Sequence, residues 1–234
     1  MKRSENTSKY KEVESMHAYE ATLEVVNPLS FRTNEYGNII RTSRILHNWA
    51  LRFALNGISG NPEKTHLENL QGTPIYATPA VPIEIEYEFQ TFHPFPEAPQ
   101  LLKNPGQLTS GSRRTYQGDY TILHFKEVIR PNSSFRFAVA SLHELPQNLL
   151  ITYGGKRTLQ KVIFQECSIT ESEPINGDLT HPVNPLDFSN KIQFTNAFEY
   201  SIPPSPLFEG TVSGSFIGRR IRRGSNEYVV PSEW

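Results

Sequence analysis

The sequence contains a single cysteine, Cys167, among 234 residues. An internal disulfide needs two cysteines, and a cysteine-built zinc site needs more than one, so both are excluded. None of the seven histidines stands at metal-ligand spacing with another histidine or with clustered carboxylates. The sequence therefore predicts no metal ion and no cofactor, and its cysteine usage is typical of a protein that works in the reducing cytoplasm.

Long apolar runs and an excess of charge are also absent. No stretch of roughly 18 apolar residues occurs, so neither a transmembrane helix nor a membrane partner is expected. Residues 1–16, MKRSENTSKYKEVESM, lack the apolar centre of a signal peptide and predict a polar, mobile tail. The net charge is −1. A nucleic-acid partner would therefore be held by local basic patches and not by a general positive field.

Alternating apolar and polar residues predict antiparallel strands that have one solvated face. HAYEATLEVV at 17–26 and IEIEYEFQTF at 83–92 show this pattern most clearly. In the second of these strands, Glu84, Glu86 and Glu88 are predicted to line an acidic outer face that repels RNA. Further strands are predicted at 119–129, 134–141, 156–169 and 191–201.

The remaining segments have no such alternation. Residues 142–150 predict a short helix or turn, 171–187 a loop, and the glycine-rich segment from Glu209 onward a basic tail. The order strand, helix, several strands, short helix, strand predicts an α+β fold around an antiparallel sheet. No clear linker divides the chain, so residues 17–234 are predicted to form a single domain.

The stretch YGNIIRTSRILHNWALRFAL, at 36–55, predicts a helix that starts near Thr42 or Ser43, both of which are favourable N-caps. Arg41 and Arg44 would then stand at the helix entrance, where unpaired N–H groups and the helix dipole favour a phosphate. Apolar residues recur at helical spacing and predict the buried face: Ile45, Leu46, Trp49, Ala50 and Phe53.

Three polar residues within this helix are expected to have structural roles. Arg52 is expected to cover the helix surface with its aliphatic stem. His47 and Asn48 are expected to pack against neighbouring elements.

A glycine turn precedes the first of three further basic clusters. Lys156 and Arg157, with Lys161 on the predicted strand, follow Gly154 and Gly155. Glycine lets backbone N–H groups approach a phosphate closely, and the cations supply the opposite charge. This cluster predicts a phosphate contact.

The other two basic clusters do not follow a glycine turn of this kind. Arg113 and Arg114 are followed by Tyr116, which could stack on a base at the tip of a hairpin. The last cluster could fork around phosphates if it lay in a loop, or could form a solvated tail. It holds four arginines in five positions, namely Arg219, Arg220, Arg222 and Arg223.

Three motifs near the start of the chain resemble the N-terminal block of a known family. They are N-P-L-x-F at 27–31, E-x-G at 35–37 and H-N-W-A-L-x-F-A-L at 47–55. The sequence ITYGGKRTLQKVIF at 151–164 is similar to the glycine-lysine turn and following strand of the same family. The chain thus resembles the Csc-one family, the Cas-five-type subunit of type I-D CRISPR effector complexes.

The resemblance implies a ferredoxin-like, RRM-derived fold, with an antiparallel sheet, helices on one face and a protruding thumb hairpin. Residues 100–117 are the thumb candidate, because this segment is long, irregular and basic at one end. The family role is to cap the 5′ handle of crRNA without cutting it, as part of an antiviral surveillance complex. The implied partners are the crRNA, the large subunit, the Cas-seven-type backbone subunit and target double-stranded DNA near the PAM.

The resemblance and the basic clusters together give a set of predicted contacts. RNA is expected at Arg41, Arg44, Arg113, Arg114, Tyr116, Lys156, Arg157 and Lys161. The backbone of RNA or DNA is expected at the C-terminal arginines.

Two other functions stay open at this point. A metal-independent endoribonuclease needs only a base and an acid, for which His47, His143 and Lys156 are candidates. The third reading is a protein-interaction module whose basic loops bind nothing.

Overall fold

A computed structural model describes residues 16–31, 34–36, 39–92, 124–154, 157–188 and 192–234. All but the last residue of the predicted tail, and the whole thumb candidate at 100–117, lie outside these ranges. Among the described helices, none is long and apolar enough to cross a membrane.

The described elements follow the chain in this order: β1 (His17–Glu24), β2 (Asn34–Tyr36), β3 (Ile39–Arg41), α1 (Asn48–Leu55), α2 (His66–Leu70), β4 (Ile75–Ala77), β5 (Val81–Glu84), β6 (Tyr87–Phe92), β7 (His124–Ile129), β8 (Ser134–Ser141), β9 (Asn148–Tyr153), β10 (Thr158–Glu166), β11 (Ser168–Ile169), β12 (Glu173–Val183), a 3₁₀ turn (Pro185–Phe188), β13 (Gln193–Tyr200), β14 (Leu207–Arg223) and β15 (Asn226–Pro231).

The main sheet has the strand order β4-β8-β1-β10-β9, with β5 also paired to β8, and all its neighbours are antiparallel. β1 and β4 run in the same direction on either side of β8, and α1 lies between them in sequence, which is a split β-α-β arrangement. The predicted antiparallel sheet is confirmed. The α+β class is only partly right, because the described residues are mostly strand and β9 occupies the end of the segment predicted as helix or turn.

One face of β1 builds the main core. Tyr19, Ala21, Leu23 and Val25 alternate along the chain and are all buried, as the sequence pattern predicts. They pack with Leu51 and Leu55 of α1 and with Phe135 and Phe137 of β8. Burying side chains of this size is the main stabilising contribution to such a layer.

α1 begins later than predicted. Its N-cap is His47, whose ring accepts from the Trp49 N–H, and not Thr42 or Ser43. Thr42 is instead bonded to the backbone carbonyl of Glu127, and Leu46 forms a β-bridge with Ala80. These tertiary bonds keep the preceding residues out of the helix, although their side chains recur at helical spacing.

The segments predicted as a loop at 171–187 and as a tail from Glu209 form the strands β12 and β14, so both predictions are wrong. β14 pairs with β12, β13, β11 and β15. Glycines occur in β14 where neighbouring strands approach closely. In the sequence, the same glycines suggest a flexible tail. A Cβ on Gly210 would lie 2.1 Å from the Asn196 carbonyl oxygen, so no other residue fits there.

The end of β14 and β15 covers the second face of the main sheet. Ile221, Tyr228 and Val230 pack on Ala18 and Ala140. Glu20, predicted on a solvated face, is therefore buried. Burial raises the pKa of Glu20, but hydrogen bonds from Tyr228, Arg223 and Asn226 outweigh it and leave the pKa lowered.

A third, four-stranded sheet has the order β2-β3-β7-β6. The single strand predicted at 83–92 is split between sheets, because β5 pairs with β8 and β6 pairs with β7. Ile83 and Phe89 are consequently 54% and 57% exposed, although the alternation predicts them on a buried face. Glu86 and Glu88 are on the surface and pair with Arg130.

Asp187, in the 3₁₀ turn, accepts three hydrogen bonds from α1 and β4. Asn48 Nδ2 donates at 2.5 Å, Trp49 Nε1 at 2.7 Å and the Tyr76 hydroxyl at 2.9 Å. The guanidinium of Arg52 lies 3.6 Å away, with side-chain exposures of 2% and 1% for this pair. Burial raises the pKa of Asp187, and Arg52 and the three donors oppose that rise. Arg52 is thus a buried ion-pair partner and not a surface cover.

Two buried histidines also join the C-terminal region to residues of the N-terminal half of the chain. His47 Nε2 lies 3.1 Å from the Ser205 carbonyl oxygen, and His181 Nε2 lies 2.6 Å from the Pro79 carbonyl oxygen. Burial lowers the pKa of each imidazole to about 4, because a charged ring would lose its hydration. The expected packing role of His47 and Asn48 is confirmed by their burial.

Replacing Asp187 with Ala should lower the free energy of unfolding by about 3–5 kcal/mol, since it leaves the buried charge of Arg52 without a partner. Urea unfolding measures this decrease. The matched control is Glu24→Ala, which breaks the exposed Glu24–Lys161 pair and should cost no more than about 1 kcal/mol. Equal decreases in the two variants would contradict this account of the ion pair.

Acidification below about pH 6.5 should destabilise the protein through the two buried histidines. An unfolded histidine titrates near 6.5 and these two near 4, so the unfolded state binds more protons between those values. Their stabilising effect is complete above pH 6.5 and is lost as the pH falls toward 4, by on the order of 3 kcal/mol for each. Urea midpoints at pH 7.5 and pH 5 measure the drop, and His181→Asn should reduce it. A drop of the same size in that variant would disprove the assignment.

Candidate nucleic-acid interface

The turn between β9 and β10 is held in place by a close contact with residues 29–30, which follow β1. Gly154 has φ = +90°, and a Cβ there would lie 2.6 Å from Leu29 Cδ1 and 3.3 Å from the Ser30 carbonyl oxygen. Only glycine fits this approach. Arg157, at φ = +49°, donates its backbone N–H to the Gly154 carbonyl at 2.9 Å and is exposed. The glycine turn and the N-P-L-x-F motif therefore meet in space.

An aromatic cleft of about 630 Å³ opens on one side of this turn, between α1, the loop after it and Arg157. Trp49 and His66 stack with ring centroids 5.8 Å apart, and Phe53 meets His66 edge-on at 6.0 Å. Lys64 and Arg157 are the cations of the cleft, and no carboxylate lines it within the described residues. Rings and cations without acids are the combination that binds single-stranded nucleic acid.

A polar groove of about 240 Å³ lies on the other side of the turn. It is lined by Asn27, Pro28, Ser30, Gln90, Lys126, Val128 and Thr158. Thr158 directly follows Arg157, so neighbouring residues of the chain line the cleft and the groove. Together the two pockets carry amides, hydroxyls and cations.

Buried hydrogen bonds beneath this surface connect β10 to residues 26 and 27, the second of which lines the groove. Gln160 has no exposed surface; it accepts from the Val26 N–H at 2.9 Å and donates to the Asn27 carbonyl at 3.1 Å. Tyr153 lines the cleft, and its buried hydroxyl has no partner among the residues that the structure describes. Burial raises the pKa of Tyr153, so this hydroxyl keeps its proton and remains a donor.

The structure places the predicted RNA contacts in different regions. Arg157 lies at the junction of the cleft and the groove. Lys161 lies farther along β10, with its ammonium 3.0 Å from Glu24 Oε2. Four predicted contacts lie outside the described residues, namely Arg113, Arg114, Tyr116 and Lys156. Residues 93–123 join β6 to β7, and these two strands contribute Gln90 and Lys126 to the groove.

Arg41 and Arg44 line neither the cleft nor the groove. Arg41 ends β3, and Arg44 lies beside the phenol of Tyr87. Burial raises the pKa of Tyr87 to about 12, and the charge of Arg44 opposes that rise. The predicted position of both arginines at a helix N-terminus is wrong, since α1 starts at Asn48.

The C-terminal arginines lie on β14 and are largely paired with carboxylates. Arg220 contacts Glu173 and Glu227, and Arg222 contacts Glu227 at 2.6 Å. Arg223 donates to the buried Glu20 at 2.8 Å, and an Arg219 guanidinium nitrogen lies 3.5 Å from the Thr170 carbonyl. The expected loop or solvated tail is wrong, and these charges contribute to the fold.

The candidate nuclease residues are not drawn together by any described contact. His47 is 4% exposed and bonded to Ser205, whereas His143 is exposed beyond the end of β8. Lys156 lies outside the described residues. Among the described side chains, no group of three or more His, Cys, Asp or Glu residues is arranged to hold a metal ion.

Several residues of this surface have no signal in the sequence. Helical spacing predicts Phe53 in the core, but it lines the cleft with Ala50. Lys64 lies in an irregular loop, two residues after a proline, and Lys126 sits singly in a strand, so neither has a pattern that could reveal it. Only the tertiary fold brings these cations to the glycine turn.

Comparison with known proteins places the chain in a family. The family model described as type I-D CRISPR-associated protein Cas5/Csc1 matches residues 16–233. No curated protein matches the chain.

Two solved structures are similar to it at low scores, each over 85% of this chain. The first is titled Type III-B Cmr-beta bound to cognate target RNA and AMPPnP, state 1; it has 10% identity, a TM-score of 0.42 and 85% coverage of that chain. The second, Type III-B Cmr-beta bound to cognate target RNA, has 11% identity, a TM-score of 0.36 and 86% coverage. The assignment therefore rests on the family model, which spans nearly the whole sequence: the chain belongs to the type I-D CRISPR-associated Cas5/Csc1 family.

Proposed function

We propose that this chain binds and caps the 5′ handle of crRNA in a type I-D effector complex and does not cut it. The observation that carries the proposal is the Gly154–Arg157 turn, which has the aromatic cleft on one side and the polar groove on the other. Family membership supports RNA as the ligand and other effector subunits as partners.

The chemistry of this surface favours a single strand. A phosphate can meet Arg157 at the turn while an unstacked base enters the cleft beside Phe53 and His66. The bases of a duplex stay stacked on one another and cannot reach a ring in this way. Groove amides and Lys126 would hold the next phosphates. Arg113 and Arg114, which lie outside the described residues, are proposed as further RNA contacts.

The C-terminal arginines are proposed to contribute less to binding than the turn does. Arg222 and Arg223 keep 53% and 41% exposure, so they are the C-terminal arginines best placed to meet an RNA or DNA backbone. Their carboxylate partners reduce the net positive charge there, which is why the handle is assigned to the turn. The large subunit, the backbone subunit and PAM-proximal DNA complete the proposed surroundings.

The burial of His47 supports the non-catalytic form of the proposal. A general acid must carry its proton near neutral pH, and the pKa of His47 is about 4. His47 also directs both ring nitrogens to the backbone of Trp49 and Ser205. Endoribonuclease activity would then need residues other than this histidine.

Removing the two cleft cations should weaken RNA binding irrespective of spacer sequence. We expect Arg157→Asn with Lys64→Gln to lower the affinity for a single-stranded handle RNA roughly tenfold, and to reduce the salt slope by about 0.7 for each phosphate that the variant no longer neutralises. Asn suits the left-handed backbone at 157, so the turn is retained. Fluorescence anisotropy at several salt concentrations measures both quantities.

The matched control for that experiment is Arg130→Gln, which replaces an exposed cation that pairs with Glu86 and Glu88 and does not line the cleft. It should leave the affinity and the slope unchanged. An unchanged slope in the double variant would remove the cleft from the RNA site.

We expect the purified chain to leave a repeat RNA intact in the presence of EDTA, because His47, the buried candidate of the nuclease alternative, directs both ring nitrogens to the backbone. Denaturing gel electrophoresis of labelled RNA is the measurement. Specific cleavage that disappears in His143→Ala or His47→Ala would establish the endoribonuclease alternative instead.

A further inference from the structure

The five-stranded sheet formed by β11–β15, here called the C-terminal sheet, carries a surface that is acidic and aromatic. Residues 174–188 and 192–218 contain no lysine and no arginine. We name the acidic aromatic face by its residues: Asp178, Phe198, Tyr200 and Glu209. In the strand register Asp178 is opposite Thr211, and Phe198 is opposite Glu209. Opposed residues share a face, and so do residues two apart on one strand, so all four project from the same side.

Apolar area on this face is exposed to solvent. Phe198 is 63% exposed, and its ring centroid is 4.7 Å from that of Tyr200. The Tyr200 hydroxyl donates to Glu209 Oε2 at 2.8 Å, and Thr211 Oγ1 donates to Asp178. The carboxylates are thereby fixed around the rings. A contiguous exposed aromatic patch with a charged rim is typical of an interaction site.

The same region has an open strand edge. Within the part of the chain that the structure describes, β13 pairs with β14 alone. Residues 195–199 are all exposed, so both faces of the strand are open to solvent along this stretch. A strand with an unpaired edge can accept an additional strand through main-chain hydrogen bonds.

We propose that the acidic aromatic face and the β13 edge bind an extended, lysine- or arginine-bearing segment of another protein subunit. The segment would add a strand to β13, place a cation over the Phe198 ring and pair with Glu199 or Glu209. RNA does not fit, because the carboxylates repel phosphate. A symmetric contact with a second copy does not fit either, because it would place two acidic faces against each other and their carboxylates would repel.

The acidic aromatic face and the proposed RNA site use different side chains. None of the four residues of this face lines the cleft or the groove, although Pro204, four residues after Tyr200, does line the cleft. Docking at β13 therefore does not depend on whether the glycine turn binds the crRNA handle.

A photo-crosslinker at position 198, introduced as Phe198→benzoylphenylalanine, tests the occupant in the assembled effector complex. Mass spectrometry should locate crosslinks in one protein subunit, within a segment that contains lysine or arginine. Position 150 provides the control, because Leu150 is 60% exposed on the main sheet. Crosslinks to nucleic acid, to a second copy of this chain, or at no more than the position 150 yield would overturn the proposal.

A binding variant tests the same surface independently. Phe198→Ser with Glu199→Lys should reduce incorporation of this chain into the complex tenfold or more, and leave its own affinity for handle RNA unchanged. The matched control is Leu150→Ser with Glu166→Lys, which makes the same types of change on another exposed surface. Incorporation equal to that of the unmodified chain would refute the docking surface. Reduced RNA affinity in the Phe198 variant would also refute it, because the two surfaces would then not be independent.

Discussion

The buried pair of Asp187 and Arg52 is the contact on which much of the remaining structure depends. Asp187 comes from the C-terminal region, and its donors come from α1 and β4, so the pair joins two halves of the chain. A buried carboxylate is tolerated only when several donors and a cation surround it. The contact also fixes the rotation of α1. With Asn48 and Arg52 turned inward, Phe53 is left facing the cleft.

Charge is divided into separate surfaces on a protein whose net charge is −1. Arg220, Arg222 and Arg223 of β14 are paired with Glu173, Glu227 and Glu20, and the contact of Arg223 with Glu20 attaches the C-terminal hairpin to the main sheet. No carboxylate among the described residues lines the cleft that holds Lys64 and Arg157, although the charge of Lys64 also acts on Glu68. Residues 192–218 include acids but neither lysine nor arginine. Binding of RNA and binding of protein can therefore use different surfaces of one small subunit.

Sequence patterns predict the position of strands in which apolar and polar residues alternate. β1, β8, β10 and β13 lie where alternation indicates them. The patterns fail where glycine or long-range bonding decides the structure. β14 is rich in glycine because neighbouring strands approach closely, and a glycine-rich sequence is also typical of a tail. The predicted start of α1 is too early because Thr42 and Leu46 are held by residues distant in the chain.

The family, the antiparallel strands and the glycine turn can be read from the amino-acid sequence alone, because they depend on motifs and on the alternation of neighbouring residues. Which charges are available to a ligand depends instead on the folded chain. Asn48 and Asp187 are 139 residues apart, and nothing near either residue indicates the bond between them. A cation is available only if folding places no carboxylate beside it, so Arg52 and Arg157 differ in role because of their tertiary surroundings and not because of their neighbours in sequence.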